Sequence, residues 1–372
     1  MKNNLPSPRI IWLLVLMMLA VPFRHVQAIS GLPGSHTLAN SGRLQSESPL
    51  AVPALSAAVG MGMDWVFLDV RWATLPVQGE VYDLRALAGV VQQASRLGLH
   101  VALSLREPPA WAIQPDGPAP QAVAALVTQL VALEPQSILA VALFPEANTS
   151  AGWGAPPSPQ AYALMLADVQ AALTEHHYAT VLVVGGLSPS GEMSDTAFLD
   201  ALYRHADLPA PLVVGLAYAP FAPDLQALRA NDHPIWHYEQ LRMVMLQAGR
   251  QSDVLWITRL TWQPTGNPAQ ERIWLKEVYS LLQQQLYIGL VNFDGLVQSG
   301  QSPIWSVDDH AALTPYFTLL GEVLSGNTAA PPAPAVSVTP SGGTSAPPQP
   351  PYRSQSVWDA FKVIVKTLLH RP

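Results

Sequence analysis

Short apolar runs alternate along this chain with longer segments that carry apolar residues at every third or fourth position. The short runs are rich in β-branched and aromatic residues, which favour strands, and several are apolar throughout, as in strands covered on both faces. We predict strands in WVFLDV (65–70), HVALSL (100–105), ILAVALF (138–144), TVLVVGG (180–186), LVVGLAY (212–218), VLWITRL (254–260) and IGLVNFD (288–294).

The longer segments between these runs have the helical period of apolar residues. Clear examples are DLRALAGVVQQASRLG, PQAYALMLADVQAALTEH and QERIWLKEVYSLLQQQ. Regular alternation of strands and helices predicts a parallel sheet. About eight such units in about 270 residues match a (β/α)8 barrel. We therefore predict a single α/β TIM barrel over residues 30–326.

The eighth strand of this barrel has no clear apolar signal. Residues 30–50 are polar and rich in Gly and Ser, and we interpret them as a lead-in loop, with the missing strand near residue 30 or residue 50. A doubly wound open sheet is the competing architecture. No Gly-rich dinucleotide-binding loop follows the first predicted strand, which argues against the open sheet.

The first 28 residues have the features of an export signal. Lys2 and Arg9 precede an apolar stretch at residues 10–23, and the small residue Ala28 follows near a suitable cleavage position. The apolar stretch is short for a full membrane span, which favours a cleaved signal peptide over an uncleaved N-terminal membrane anchor. In both cases we expect the protein to be secreted or held at the cell surface.

The C-terminal part of the chain changes in composition. Residues 327–353 are rich in Pro, Ser and Thr, which predicts an extended or flexible linker. Residues 354–372 place apolar side chains on one helical face, with lysines and an arginine elsewhere. This pattern predicts a short amphipathic helix that contacts a membrane or a protein partner. The alternative is a helix that packs against the barrel or is not stably formed.

Composition excludes several classes of function. Of the 372 residues, 49% are hydrophobic and 12% are charged, a balance too apolar for general disorder. The net charge of −7, without a basic cluster, argues against nucleic acid as a partner. There are no cysteines, and the histidine pairs His176/His177 and His233/His237 lack a third ligand. We therefore predict no metal and no cofactor.

Chemistry in such a barrel collects at the carboxyl ends of the strands. The segment VALFPEANTS ends a strand with a lone carboxylate, Glu146. Aromatic residues recur after other strands; indole faces suit the apolar faces of sugar rings, while carboxylates and amides bind hydroxyl groups. For any single tryptophan, ordinary packing is the simpler interpretation. The candidate carbohydrate-binding residues are Trp72, Trp111, Asn148, Trp153, Tyr218, Trp262, Asp294 and Trp305.

Four segments follow one another in a recognisable order: MGMDWVFLDVRWATLP with the helix after it, FPEANTSAGWG, WITRLTW and IWSVDDHAALTPYFTLLGEVL. In this order they resemble clan A glycoside hydrolases of the cellulase and β-xylosidase type. The second segment resembles the acid/base motif of that clan, Trp-Asn-Glu-Pro-Asn, and the third its nucleophile strand, Trp-x-Thr-Glu-x-Gly-Trp. The resemblance covers about residues 50–324.

The resemblance implies a (β/α)8 barrel that hydrolyses glycosidic bonds with retention, using two carboxylates about 5 Å apart. It places Glu146 at the acid/base position. Pro145 replaces an Asn that binds a substrate hydroxyl in the clan, and Arg259 replaces the nucleophilic Glu. Arginine stays protonated and is not a nucleophile. Beside Glu146 its charge favours the ionised carboxylate, whereas a general acid must hold a proton.

Two functions follow from these replacements. The first is a catalytically degenerate, exported barrel that binds an oligo- or polysaccharide or acts as a surface interaction module. In that barrel, Arg259 would favour an anionic sugar through a bidentate contact. The alternative is an active O-glycosyl hydrolase with Glu146 as acid/base and Asp69, Glu107 or Asp294 as an unconventional second carboxylate. A closed ion pair between Glu146 and Arg259 would favour the first function.

Overall fold

The computed structural model describes residues 29–325 except 36, 79–80, 207, 297–305 and 308–312. Eight parallel strands form a closed barrel, in which each strand pairs with its neighbours in the sequence and the last strand pairs with the first. The strands are β1 (Ala39–Gln45), β2 (Trp65–Arg71), β3 (His100–Arg106), β4 (Ile138–Leu143), β5 (Val181–Leu187), β6 (Val213–Ala217), β7 (Val254–Leu260) and β8 (Ile288–Phe293).

A helix follows each strand, and the helices cover the outer face of the sheet with apolar side chains. The predicted (β/α)8 barrel is confirmed. The parallel pairing of β1 with β8, in which Ala39 lies opposite Leu290, excludes the open sheet. The helices are α1 (Ala51–Gly60), α2 (Arg85–Arg96), α3 (Pro120–Val131), α4 (Pro159–Glu175), α5 (Asp195–Tyr203), α6 (Tyr238–Gln247), α7 (Pro268–Gln283) and α8 (Pro315–Leu324).

The first strand lies inside the segment that the sequence pattern assigns to a lead-in loop. That interpretation is wrong for β1, whose residues ANSGRLQ include few side chains that favour strands. Ser41 and Arg43 share one face of the strand and Gly42 lies on the other, where a Cβ atom would collide with the Leu296 side chain. Because β1 carries polar residues on its inner face, its sequence lacks the alternation of apolar and polar residues that predicts a strand.

The half of the barrel interior near the amino ends of the strands is apolar. The ring centroids of Trp65 and Trp256 lie 5.4 Å apart, and those of Phe67 and Trp256 lie 5.9 Å apart. The indole N–H groups of Trp65 and Trp256 donate to the carbonyls of Ser30 and Gly31, at 2.9 and 2.7 Å. The segment before β1 therefore closes this end of the barrel and satisfies both buried donors.

The half near the carboxyl ends is polar and charged. Alternate residues of a strand share a face, so Asp69 lies two residues beyond Phe67 on the inner face of β2. Arg43 of β1 donates to Asp69 at 2.6 Å and approaches the Ser104 hydroxyl of β3 at 3.5 Å. The interior therefore changes from packed rings to ion pairs within one strand length.

Several predicted segments lie outside the described residues: the export segment (1–28), the linker (327–353) and the terminal helix (354–372). Among the helices that the structure does describe, none has both the length and the apolar character needed to cross a membrane.

We expect Trp256→Ala to lower the free energy of unfolding by about 3–5 kcal/mol, because it leaves a cavity inside the barrel and removes the donor to Gly31. Chemical denaturation measures the difference. Ile273→Ala on α7 is the control, since Ile273 is 49% exposed and its truncation should change this free energy by less than about 0.5 kcal/mol. Equal effects of the two substitutions would contradict the described core.

Candidate functional site

Glu146 follows β4 in a backbone conformation that few residues adopt. Phe144 and Glu146 have φ angles of 52° and 62°. These lie in the left-handed region, which costs of order 1–3 kcal/mol for a residue other than glycine. The N–H of Glu146 donates to the carbonyls of Gly185 and Gly186 at the end of β5, at 3.0 Å each. These hydrogen bonds hold the turn that presents the carboxylate.

The two glycines at the end of β5 permit this close approach. A Cβ atom on Gly185 would collide with the backbone of Leu143 and Phe144. Gly186 itself has a φ of 51°, a conformation that glycine adopts without steric cost. The sequence of β5 therefore contributes to the position of the carboxylate that β4 delivers.

Arg259 of β7 meets Glu146 at the mouth of the barrel. Its Nη1 lies 2.6 Å from Glu146 Oε1, and the two side chains are 25% and 31% exposed. Its Nε donates to the backbone carbonyl of Tyr218 at 2.8 Å, which holds the guanidinium from a second side. The position that the resemblance assigns to a nucleophilic carboxylate is thus occupied by a permanent positive charge.

A second arginine, Arg43, organises the charges below the mouth. Its Nη1 donates to Asp69 Oδ1 at 2.6 Å and its Nη2 to the Thr258 carbonyl at 2.9 Å. Its Nε lies 3.3 Å from Asp294 Oδ1, an ion pair without hydrogen-bond alignment. Burial lowers the pKa of Arg43, but the charges of Asp69 and Asp294 outweigh burial and raise this pKa above its ordinary value.

Two of the carboxylates considered as a second catalytic group are held by this network. Asp69 is 5% exposed and uses both oxygens, because Oδ1 accepts from Arg43 and Oδ2 accepts from Arg106 at 3.3 Å. Asp294 is 17% exposed and pairs with Arg43. The ion pairs engage both carboxylates within the protein, which disfavours either of them as a general base that must accept a proton from water.

Glu107, the third carboxylate considered, lies on the rim. Its Oε2 pairs with Nε of Arg71 at 2.8 Å, and both side chains are more than 40% exposed. Its backbone carbonyl accepts from the N–H of Ala73 at 2.8 Å. Glu107 thus joins the loops after β2 and β3 and does not line the mouth.

A cavity of about 140 Å³ opens among the charged groups at the mouth. Pro145 lines it, so the residue that replaces the clan's hydroxyl-binding Asn contributes an apolar wall. The charged lining residues are Arg43, Asp69, Arg106, Arg259 and Asp294.

Three aromatic residues predicted to bind sugar lie in the core instead. Trp153, Trp262 and Tyr218 are at most 2% exposed, so no ring face is open to a ligand. Burial also raises the pKa of Tyr218 well above its ordinary value. We correct the predicted binding role for these residues, which pack the loops above the barrel. Their polar atoms donate to the Asp116 carbonyl (2.8 Å), Glu271 Oε2 (3.2 Å) and the Ile235 carbonyl (2.6 Å), respectively.

Asn148 joins two loops and does not face the cavity. Its Nδ2 donates to the carbonyls of Ser188 and Met193 at 2.7 and 2.8 Å, and its Oδ1 accepts from the Ser188 N–H at 2.9 Å. The side chain is fully buried. The predicted contact with a substrate hydroxyl is therefore also corrected, because these groups are already bonded inside the protein.

Trp111 presents an exposed ring, 68% accessible to solvent. Its ring packs edge-on against Trp72, with centroids 5.5 Å apart. Trp72 is buried, and its Nε1 donates to the Tyr82 hydroxyl at 2.7 Å. Both indoles line a groove of about 410 Å³ between the loops after β2 and β3 and helix α3. Trp305, the remaining predicted aromatic residue, lies outside the described residues.

Two arginines at the centre of the site, Arg43 and Arg106, are not among the candidates selected from the sequence. Arg106 ends a predicted strand in SLREPP, and that position was a usable signal. Arg43 lies in β1, where no apolar pattern indicated a strand. Its location therefore became clear only from the closed barrel.

The histidines examined as metal ligands have structural contacts. His233 Nδ1 accepts from the Ile235 N–H at 3.1 Å, and His237 Nε2 bonds to the buried Asp195 at 2.6 Å. In the part of the chain that the structure describes, no three His, Asp or Glu side chains are placed to hold a metal ion together.

No protein-family model matches this chain, and no curated protein matches it significantly. Solved structures do match. A GH5_18 structure from Streptomyces cattleya in complex with GlcNAc covers 81% of this chain and 83% of its own, with a TM-score of 0.58 and 12% identity. This likeness shows that the two proteins share the barrel fold. The resemblance inferred from the sequence is thus confirmed at the level of the fold.

Two further structures of glycoside hydrolases share this fold. A GH5_4 structure in complex with a cellotriose covers 77% of this chain and 96% of its own, with a TM-score of 0.59 and 10% identity. The xylanase Xyn30A of glycoside hydrolase family 30 subfamily 8, from Clostridium acetobutylicum, covers 78% and 72%, with a TM-score of 0.53 and 12% identity.

We expect Arg43→Gln to lower the free energy of unfolding of the barrel by about 3 kcal/mol or more, since it leaves Asp69 and Asp294 poorly compensated at a buried site. Urea denaturation measures the loss. Arg71→Gln is the matched control, because its ion pair with Glu107 is solvent-exposed and should contribute little to the free energy of unfolding. A loss no larger for Arg43→Gln than for this control would show that the buried network is dispensable.

Proposed function

We propose that this protein is an exported glycoside-hydrolase-like barrel that binds carbohydrate and does not hydrolyse it. The ion pair between Arg259 and Glu146, at 2.6 Å, is the observation that carries the proposal. Retaining hydrolysis requires two carboxylates about 5 Å apart, one to donate a proton and one to attack the anomeric carbon. Here the second carboxylate is replaced by a guanidinium, which supplies no nucleophile.

The acid/base step is also disfavoured by this pair. A general acid must be protonated when the glycosidic oxygen departs. Glu146 Oε1 instead contacts a guanidinium nitrogen at 2.6 Å, so the ion pair occupies the oxygen that would have to face the glycosidic oxygen. One substitution therefore removes the nucleophile and impairs the proton donor.

The alternative is an active O-glycosyl hydrolase that combines Glu146 with an unconventional second carboxylate. Of the carboxylates considered, Asp294 is the best placed, because it lines the mouth cavity and is more exposed than Asp69. Activity would require Asp294 to be released from Arg43, which lies 3.3 Å away. The ion pairs in the structure argue against this alternative.

Two features support carbohydrate binding. The barrel shares its fold with structures that hold GlcNAc and a cellotriose. It also exposes the Trp111 ring on a groove beside the mouth, and an indole face suits the apolar face of a sugar ring. The edge-on contact with Trp72 restricts the orientation of the Trp111 ring, so little conformational entropy is lost on binding.

Export is part of this proposal and rests on the N-terminal sequence, in which basic residues, an apolar core and a small residue follow in order. Contact of the residue 354–372 segment with a membrane or a protein likewise remains a proposal, based on its apolar stripe. Fractionation of producing cells would test export, since an exclusively cytosolic protein would contradict it.

The purified protein is expected to show no turnover of a panel of activated aryl glycosides. Arg259→Glu is expected to raise hydrolysis at least about a hundredfold above the background of the parent, because it places a carboxylate opposite Glu146. The activity gained should be lost again when Glu146→Gln is added to Arg259→Glu. Circular dichroism checks that all variants are folded.

Turnover by the parent protein that Glu146→Gln abolishes would overturn the proposed loss of catalysis. Asp294→Asn would then show whether this carboxylate acts as the second catalytic group.

For carbohydrate binding, we expect Trp111→Ala to weaken the affinity for a bound oligosaccharide about three- to tenfold, through loss of the stacking surface. Isothermal titration calorimetry measures the affinity. Trp111→Phe, which keeps a planar ring, should retain most of it. Leu286→Ala is the control for loss of an exposed apolar side chain, since Leu286 is 67% exposed and lies outside the groove. An unchanged affinity in Trp111→Ala would remove the groove from the binding surface.

A further inference from the structure

The hydrogen-bonding capacity that remains at the barrel mouth is mainly that of donors. Both oxygens of Asp69 accept from arginines, and one oxygen each of Asp294 and Glu146 is paired with a guanidinium. The arginines that line the cavity carry several N–H groups each. Whether those groups have partners decides what the cavity can bind.

Arg43 is held by the protein on three sides. Its two terminal nitrogens donate to Asp69 and Thr258, its Nε faces Asp294, and its side chain is 12% exposed. Arg43 therefore acts as an internal counter-charge and does not reach a ligand directly.

Arg106 is in the opposite situation. Among the described residues it makes a single hydrogen bond, from Nη1 to Asp69 Oδ2, and at 3.3 Å this bond is long. The side chain is 36% exposed and lines the cavity. Its Nε and Nη2 thus face a space open to solvent with no acceptor from the described protein. A guanidinium with adjacent free N–H groups is suited to bind an oxyanion through two parallel hydrogen bonds.

Arg259 adds to this donor surface from the other side of the cavity lining. Its Nε and Nη1 are occupied by the Tyr218 carbonyl and by Glu146. Its Nη2 has no acceptor within the described part of the chain. Arg259 therefore cannot form the bidentate contact with a sugar carboxylate that the sequence analysis assigns to it. Arg106 has the free N–H groups to form this contact.

The charge and size of the cavity agree with this reading. Three arginines and two aspartates line it, and Glu146 balances Arg259 from outside the lining. Arg106, with one long contact to Asp69, is the least closely paired of the three arginines. Its volume of about 140 Å³ is smaller than the roughly 300–1,000 Å³ of pockets that enclose drug-sized ligands. The space suits one charged substituent or one sugar unit, and a longer glycan would have to extend over the rim.

We propose that the mouth cavity binds the oxyanion of an acidic sugar unit, a carboxylate or a sulfate ester, with Arg106 as its principal ligand. Arg259 supplies a further donor through Nη2. This inference rests on the proposed function, since it names the class of carbohydrate that the barrel selects. It assigns the exposed Trp111 to sugar rings next to the acidic unit and the arginines to the acidic group itself.

Isothermal titration calorimetry of the full chain tests the proposal with three sets of oligosaccharides of equal length: oligogalacturonates, sulfated galactan oligomers and neutral cello-oligomers. At least one acidic set should bind more tightly than the neutral set, and added NaCl should weaken that binding. The acidic set that binds identifies carboxylate or sulfate as the source of the oxyanion.

Arg106→Gln should weaken the binding of the acidic set about ten- to one hundredfold, because charge-assisted hydrogen bonds are lost. Arg106→Lys should restore part of the affinity, since the charge returns without the paired donors. Arg71→Gln is the matched control: Arg71 lies opposite Arg106 in the sheet register and does not line the cavity. Thermal unfolding shows whether Arg106→Gln is folded.

The outcomes separate this inference from the proposed function. Binding of neutral oligomers alone, or acidic binding that Arg106→Gln leaves unchanged in a folded protein, overturns the oxyanion site and leaves carbohydrate binding intact. Absence of binding to any of the three sets overturns both. Equal losses of affinity for the acidic oligosaccharides in Arg71→Gln and Arg106→Gln would indicate a general effect of positive charge. This result would also overturn the assignment to Arg106.

Discussion

The buried guanidinium of Arg43 is the interaction on which the charged end of the barrel depends. It reaches from β1 to Asp69 of β2, to the backbone of β7 and to Asp294 after β8. A charge removed from water is tolerated only when paired and hydrogen-bonded. Arg43 meets this condition by joining β1 to β2, to the residue that follows β8 and to β7. The same contacts hold Asp69 and Asp294 as counter-charges.

Once Arg43 holds these carboxylates, the other two arginines at the mouth acquire different properties. Arg259 is bound by Glu146 and by the Tyr218 carbonyl, so it neutralises the carboxylate that a hydrolase of this fold would use as acid/base. Arg106 makes one long hydrogen bond to Asp69, which Arg43 holds more closely, and keeps most of its donors for a ligand. The proposed loss of catalysis and the proposed oxyanion site therefore both depend on how the arginines and carboxylates at the mouth are paired.

The strands that pattern analysis located best are those buried on both faces. In ILAVAL of β4 every residue is buried, and the sequence shows this as a continuous apolar run. The pairing of Glu146 with Arg259 was also accessible, because the motif order of the clan places both residues at strand ends. The tryptophans were harder to place. Trp111 and Trp153 both follow strands in Pro-containing loops, yet one is 68% exposed and the other fully buried.

The sequence by itself determined the alternation of strands and helices and the resemblance to clan A, which aligns Arg259 with a nucleophilic carboxylate. These are properties of the linear sequence, because periodicity and motif order depend only on the order of residues along the chain. The tertiary structure alone decided that ANSGRLQ closes the barrel, that Asn148, Trp153, Trp262 and Tyr218 are internal, and that Arg106 faces open space. Each of these depends on which distant side chains are neighbours. Whether a polar group binds a ligand or the protein is settled only by its unoccupied hydrogen-bonding positions in the folded chain.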